Sequence, residues 1–254
     1  MAPQSFIINF YSTDNECDHK GRTFNDILRF NNQALEHEHD YIQVLFPLPE
    51  RSPINPTAPV ITPEVRAAFL DHSGLRERLV LALERMLQFY GFGLNPSYSK
   101  LEIANFTATS DIGPRAREDA LIGRSPNFER RAPITWLKSM DHNHLRLTRI
   151  IRCLRVLGLD VLAWALYQAL MGHDRIENVS DRTRRVLWLE PSEGDDGKGV
   201  KWLREELMED VKQEVWMKEE YVQAQPSSEE GSDEEESEDS EKVKDEVKVK
   251  REGD

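Results

Sequence analysis

The clearest hydrophobic pattern in the chain predicts a helix between Asp141 and Leu159. At 100° per residue, five apolar side chains share one face of this helix: Leu147, Ile150, Ile151, Leu154 and Leu157. Leu145 and Val156 fall near the opposite face. A helix with apolar residues on two sides belongs in the middle of a bundle, so we expect the other elements to pack around it.

The ends of this predicted helix, which we call the central helix, carry capping signals. Asp141 or Asn143 can accept hydrogen bonds from the first backbone N–H groups. Gly158 stands where helices commonly end in a left-handed residue.

Several shorter helices are predicted before the central helix. The run from Phe6 to Tyr11 fits either an extended arm or a first helical turn. A helix capped by Thr23 should bury one stripe made of Phe24, Ile27, Leu28 and Leu35. Another short helix begins near Tyr41 and is stopped by Pro47. Six prolines between positions 47 and 63 predict an extended segment lying across the bundle.

The middle of the chain predicts two helices and a loop. Thr62, Pro63 and Glu64 form a helix start, and a longer helix runs from Ser73 to Tyr90, ended by Gly91. Residues 95–123 lack periodicity and predict a surface loop or insertion. Residues 127–138 should bring two aromatic side chains back to the core, those of Phe128 and Trp136.

After the central helix, residues 160–172 predict a helix that buries Val161, Leu162, Trp164, Leu166 and Leu170. Ser180 can cap a further helix, and residues 194–199 read as a linker. One stripe of a charged amphipathic helix, typical of coiled-coil segments, follows at Val200, Leu203, Leu207, Val211 and Val215. We see no alternating strand pattern and predict an all-α, single multi-helix bundle domain over residues 1–190. Residues 191–225 are then a linker and helix, and residues 226–254 a disordered acidic tail.

Charge is unevenly distributed. The net charge is −13, and residues 226–254 hold 13 acidic and 5 basic residues. Phosphate would repel such a chain, so composition argues against a dedicated nucleic-acid binder. Two cysteines, Cys17 and Cys153, are too few for a disulfide framework and indicate a reducing compartment.

The sequence predicts neither a secretory signal nor a membrane-spanning segment. The N-terminus lacks the basic region of a secretory signal. The most membrane-like window, residues 156–171, contains Asp160 and Gln168 and is too short to span a bilayer.

Four motifs in register resemble the conserved domain of the opioid growth factor receptor family. They are HDYIQVLFP at residues 39–47 with the following proline segment, LQFYG at 87–91, NFERR at 127–131 and HNHLRLTRI at 142–150. Their order and spacing agree over about residues 6–170, apart from an extra loop around residues 99–119. The family usually has tryptophan where this chain has Val44.

The resemblance implies a receptor-like function. Animal members are described as receptors for the pentapeptide Met-enkephalin that restrain proliferation and associate with the nucleus and nuclear envelope. It therefore implies a nuclear and cytoplasmic location, with peripheral association at the nuclear envelope. The predicted charged helix and acidic tail stand here in place of the family's long C-terminal repeats.

We take five residues in the motifs as candidate ligand-binding residues: His39, Tyr41, His142, Arg146 and Arg149. Arginine can grip a carboxylate or phosphate through two parallel hydrogen bonds. The alternative is architectural, with Arg146 and Arg149 bonding carbonyls of neighbouring loops or pairing with Glu36, Glu38 or Asp40.

Two His-x-His pairs provide an alternative chemistry. His37 with His39, and His142 with His144, could supply imidazole ligands to zinc, completed by neighbouring carboxylates. No CxxC or HExxH spacing accompanies them, and no catalytic motif is present, so we predict neither metal nor cofactor. On the architectural reading, His39 and His142 bond backbone groups at helix ends.

A basic patch in and after the predicted loop contains Arg115, Arg117, Arg124, Arg130 and Arg131. It fits a solvated loop or a dock for the chain's own acidic tail better than a nucleic-acid or lipid surface.

The sequence therefore predicts a binding module for a peptide or protein segment. The alternatives are a metal-dependent or hydrolytic enzyme built on the histidine pairs, and a scaffold domain without a ligand. An open pocket at His39, His142 and Arg146 would favour ligand recognition, whereas tetrahedral histidines would favour metal and closed packing would favour the scaffold.

Overall fold

The computed structural model describes residues 5–52, 55–106, 121–173 and 175–180. In these ranges the helices are α1 (Phe6–Ser12), α2 (Phe24–Leu28), α3 (Asn32–His37), α4 (Tyr41–Leu45), α5 (Pro63–Asp71), α6 (Ser73–Tyr90), α7 (Lys100–Ala104), α8 (Phe128–Thr135), α9 (His142–Val156) and α10 (Asp160–Met171), with a 3-10 turn at Ile176–Asn178. Two short strands, β1 (Phe92–Leu94) and β2 (Ile122–Arg124), pair antiparallel with Gly93 opposite Gly123. The all-α prediction is confirmed, and three-residue strands are too short to show the alternation that predicts a sheet.

The predicted central helix is α9. All five side chains of its apolar face are buried, as expected from their spacing. The Asp141 carboxylate accepts a hydrogen bond from the Asn143 backbone N–H at 2.7 Å, and Gly158 has φ 79° just beyond the helix end. The prediction of contacts on two sides holds for Val156, which is buried, and is wrong for Leu145, which is 63% exposed.

The N-terminal run is helical, so the extended-arm alternative is wrong. Thr23 caps α2 through a capping box with Asp26, but the predicted single helix divides after Leu28. Leu35 lies on α3, because Asn31 begins a new helix by accepting the Ala34 N–H at 2.8 Å. Each short segment buries its own apolar residues, including Phe24 and Leu35.

The proline segment is only partly extended, because the Ala58 N–H donates to the Asn55 carbonyl at 3.1 Å and closes a turn. Leu48 and Val60 form an isolated parallel bridge, with the Ile61 N–H donating to the Leu48 carbonyl at 3.1 Å. Gly91 ends α6 at φ 97°, and a Cβ at this position would lie 3.0 Å from the Phe128 Cα. The Thr62 side chain caps α5 by accepting from the Val65 N–H, and α6 begins at Ser73. The predicted starts of both helices and the predicted end of α6 are confirmed.

Part of the segment predicted as a surface loop is folded. Ser99 and Glu102 make a capping box for α7, which buries Ile103 and Ala104. Trp164 is predicted to be buried but is only half-buried. Its ring stacks on that of Tyr167, with centroids 5.3 Å apart.

The predicted helix after Ser180, the linker, the charged helix, the acidic tail and the domain boundaries at 190 and 225 lie outside the described residues. In the part that is described, no helix combines the length and apolar character needed to cross a membrane.

Arginines on the longer helices bond the carbonyls that end neighbouring helices. Arg76 donates to the Phe69 and Leu70 carbonyls at 2.5 and 2.6 Å, Arg85 to the Phe30 carbonyl at 2.6 Å, and Arg131 to the Phe89 carbonyl at 2.9 Å. The last carbonyls of a helix have no intrahelical partner and carry the negative end of its dipole. The guanidinium groups therefore join short helices that would be unstable alone.

Candidate ligand-binding site

The candidate site lies where the end of α3 and the loop at residues 38–40 meet the start of α9. His39 is in the loop, Tyr41 begins α4, and His142, Arg146 and Arg149 lie on α9. The structure brings His39, Tyr41, His142 and Arg146 together, whereas Arg149 contacts the end of α4 farther along the helix.

Arg146 is buried and surrounded by acceptors. Its Nη1 donates to the Leu35 carbonyl at 2.7 Å and the Asn143 Oδ1 at 3.1 Å. Its Nη2 lies 2.7 Å from the Glu38 carbonyl, 3.2 Å from the Glu36 carbonyl and 3.1 Å from the His39 Nδ1. The guanidinium thus closes the C-terminal end of α3, which favours the architectural alternative; its ligand-binding role stays a prediction.

Tyr41 and Arg149 face the interior as well. The Tyr41 hydroxyl donates to the Leu35 carbonyl at 3.0 Å, its ring lies 5.6 Å from the Arg146 guanidinium, and burial raises its pKa to about 12. Arg149 is half-buried and donates to the Phe46 carbonyl at 3.1 Å, and burial lowers its pKa. Neither side chain offers much surface to a ligand.

His39 and His142 form the exposed part of the site. Their rings meet edge to face, with centroids 5.6 Å apart and planes at 88°. Because the Arg146 Nη2 can only donate, the His39 Nδ1 accepts, and neutral His39 carries its proton on Nε2. The pair therefore presents polar aromatic surface fixed to a buried support.

Two carboxylates flank His142. Its Nε2 lies 3.6 Å from the Glu36 Oε1, and its Nδ1 lies 3.6 Å from the Asp141 Oδ1. The pKa of His142 is lowered by burial first and by the Arg146 charge next, and the two carboxylates oppose this shift. The lowered pKa favours the neutral form of His142, which can donate from one nitrogen and accept at the other.

Asn143 supports this arrangement, a role beyond the helix capping that its position predicts. It is fully buried, and its Nδ2 donates to the Glu36 Oε2 at 3.2 Å and the Thr135 carbonyl at 3.0 Å. A polar residue between two histidines in a helix start was the signal that could have indicated this role.

The His-x-His pairs do not act as pairs. The His37 Nδ1 lies 2.9 Å from the Gln33 carbonyl, and the buried His144 Nε2 lies 2.7 Å from the Trp136 carbonyl, so one histidine of each pair bonds a backbone carbonyl nearby. Among the described residues, no group of three or more His, Cys, Asp or Glu side chains could hold a metal ion.

Three exposed apolar side chains lie on α8, on α9 and in the segment between these helices. Met140 is 89% exposed, Leu145 is 63% exposed and Ile134 is 57% exposed. The Lys138 Nζ lies 3.3 Å from the Ile134 carbonyl and 2.6 Å from the Asp141 carboxylate. Leu145 follows His142 by three residues and so lies beside it on the helix.

The predicted basic patch is partly structural. Arg131 and Arg124 lie over the rings of Phe89 and Phe128 at 5.0 and 4.8 Å, while exposed Arg130 donates to the Asn127 side chain. Arg115 and Arg117 lie outside the described residues, and docking of the acidic tail remains a prediction.

Comparison with known proteins identifies the family. The model of the opioid growth factor receptor (OGFr) conserved region matches residues 2–108 and 114–186. The chain belongs to the opioid growth factor receptor family. The family match leaves out residues 109–113, inside the predicted insertion.

Named relatives of the family match half of the chain or more. An opioid growth factor receptor of Rattus norvegicus is 36% identical over 60% of this chain, and one of Mus musculus is 35% identical over 60%. An opioid growth factor receptor-like protein 1 of Xenopus tropicalis is 30% identical over 50%. The match spans only 23%, 21% and 20% of these relatives. No solved structure matches.

Proposed function

We propose that this chain is a non-enzymatic binding module that recognises a peptide or a protein segment through the face formed by His39, His142, Glu36, Met140 and Leu145. The observation that carries the proposal is the exposed His39–His142 pair seated on buried Arg146. Exposed aromatic and apolar side chains held by a rigid support are typical of recognition surfaces, because little side-chain freedom is lost on binding.

Family membership supports the receptor-like part of this proposal. Relatives are named opioid growth factor receptors, and this chain matches about a fifth of their length. An opioid growth factor peptide is therefore the first candidate ligand.

The test compares full-length wild-type chain with a His39→Ala/His142→Ala variant. Binding of Met-enkephalin, and of peptides selected from a random display library on the wild type, is measured by calorimetry. We expect the double variant to bind at least about tenfold more weakly, a loss of about 1.4 kcal/mol. His72→Ala is the matched control, because His72 is an exposed histidine at the start of α6.

Unchanged affinity in the double variant would contradict the proposed face. A failure of Met-enkephalin and of every selected peptide to bind the wild type would favour the scaffold alternative, which the closed environment of Arg146 also favours.

We further propose that the protein works in the nucleus and cytoplasm, with peripheral association at the nuclear envelope. This location rests on family membership. Fractionation and imaging of the tagged full chain would test it, and exclusion from the nucleus would contradict it.

A further inference from the structure

Glu36 and His142 place two acceptor atoms side by side on the proposed binding face. The Glu36 Oε1 lies 3.6 Å from the His142 Nε2, while the other carboxylate oxygen accepts from Asn143. A nitrogen about 2.9 Å from both acceptors could donate to each of them at once. No described side chain donates a hydrogen bond to the Glu36 Oε1 within normal distance.

We propose that Glu36 and neutral His142 together bind a primary ammonium group of the partner peptide, and that Met140 and Leu145 contact the apolar side chain next to it. This inference rests on the proposed binding function and names the chemistry that the face selects.

The tautomer of His142 fits this role. With its proton on Nδ1, facing the Asp141 carboxylate, His142 presents the Nε2 lone pair toward Glu36. A cationic nitrogen between Glu36 and His142 selects this tautomer, because the opposite tautomer would direct an N–H at the ammonium. The lowered pKa of His142 keeps the imidazole available as an acceptor.

Two carboxylates beside the pair attract a cation and repel an anion, whereas the buried Arg146 charge acts in the opposite sense. Glu36 and Asp141 are both negative, and Lys138 pairs with Asp141 at 2.6 Å. The Arg146 donors point inward, to the Leu35 and Glu38 carbonyls and to the Asn143 side chain. An incoming carboxylate would thus meet Glu36, with the His39 Nε2–H as the donor near it.

Three small probes test the inference by NMR titration of the His142 imidazole in the full chain. Leucinamide carries an amino-terminal ammonium, Nα-acetyl-lysine N-methylamide carries a side-chain ammonium, and N-acetylleucinamide carries no cation. At pH 7 an α-amino group with pKa about 8 is largely protonated. We expect at least one cationic probe to bind about tenfold or more tightly than N-acetylleucinamide, and the stronger of the two identifies the amino terminus or a lysine as the natural group.

Glu36→Gln is the decisive variant, because glutamine keeps an acceptor for Asn143 but removes the charge. We expect it to abolish the preference for a cationic probe. Glu84→Gln is the control, since it removes a carboxylate that pairs with Lys100 on another helix. Circular dichroism establishes that both variants remain folded.

Two results would overturn the inference. In one, the neutral probe binds as well as the cationic probes, or none of the three binds. In the other, Glu36→Gln leaves the preference intact. The proposed function is judged separately by the peptide measurements on the histidine variant, so peptide binding without an ammonium preference would refute only the inference.

Discussion

Replacing Arg146 with lysine separates an architectural arginine from a ligand clamp. The guanidinium reaches acceptors on two sides, with the Leu35 carbonyl and Asn143 at Nη1 and the Glu38 carbonyl and His39 at Nη2. Lysine keeps the positive charge but ends in a single nitrogen with three donors, which cannot occupy both positions.

The magnitude follows from the acceptors that lose their partner. If lysine retains about half of the contacts, two or three buried acceptors are left unsatisfied, at about 1–3 kcal/mol each. Water can reach the half-buried Glu38 side of the loop and hydrogen-bond to its acceptors, which reduces the total loss of free energy. We therefore expect the free energy of unfolding to fall by about 2–5 kcal/mol.

Urea denaturation of the full chain, followed by tryptophan fluorescence, measures this loss. Arg130→Lys is the control, because exposed Arg130 makes one hydrogen bond within α8 and its substitution should change stability by about 0.5 kcal/mol or less. A loss in Arg146→Lys as small as that of the control would refute the architectural reasoning. Weakened peptide binding with unchanged stability would instead restore the ligand-clamp reading.

Three further outcomes test the core, one turn and one titrating group. Leu154→Ala should lower the free energy of unfolding by about 2–5 kcal/mol, because it opens a cavity on the buried face of α9; an unchanged denaturation midpoint would contradict this. Gly158→Ala should lower the free energy of unfolding by about 1–3 kcal/mol, because φ is 79° and the new Cβ would lie 2.5 Å from the Leu70 side chain. A higher melting temperature would contradict this. Because the pKa of His142 is lowered from 6.5, protonation favours the unfolded chain, so stability should decline as pH falls below about 6.5; His142→Gln should show a smaller decline between pH 7.5 and 5.5, and identical declines would refute this.

Local signals in the sequence predict most helix ends in the described residues. Thr62 before Pro63, and glycines 91 and 158 after apolar stripes, act through neighbouring backbone groups, so a short window contains the necessary information. The predicted Thr23 helix divides because Asn31 caps a second helix, and the apolar stripe from Phe24 to Leu35 does not indicate this break.

Exposure along the central helix was harder to predict, since it depends on which neighbour covers each face. Leu145 is apolar and has helical spacing relative to buried residues, yet it remains mostly exposed in the described part of the chain. Periodicity gives the direction in which a side chain points, whereas burial depends on contacts between residues far apart in sequence.

The sequence predicts which segments form the candidate site but not the individual contacts within it. The motifs at residues 39–47 and 142–150 do meet in space. The number of hydrogen bonds at Arg146 depends on the carbonyls of a helix end about a hundred residues away in the chain, and no sequence window contains that geometry. Glu36 likewise enters the site through Asn143 and His142.

Several residues of the family motifs are closed to a ligand, although His39, His142 and Leu145 in the same motifs are exposed. Arg146 and Arg149, in the most characteristic motif, bond carbonyls at helix ends, and Tyr41 is fully buried. Glu36 and Met140 lie outside the motif runs; Glu36 is half-buried beside His142, and Met140 is exposed two residues before His142 in sequence. Substitutions at these accessible positions can therefore change the ligand while the buried residues keep their contacts. Surface substitutions of this kind have little effect on stability. Ligand identity should then be sought in the charge at position 36 and the apolar contact at position 140.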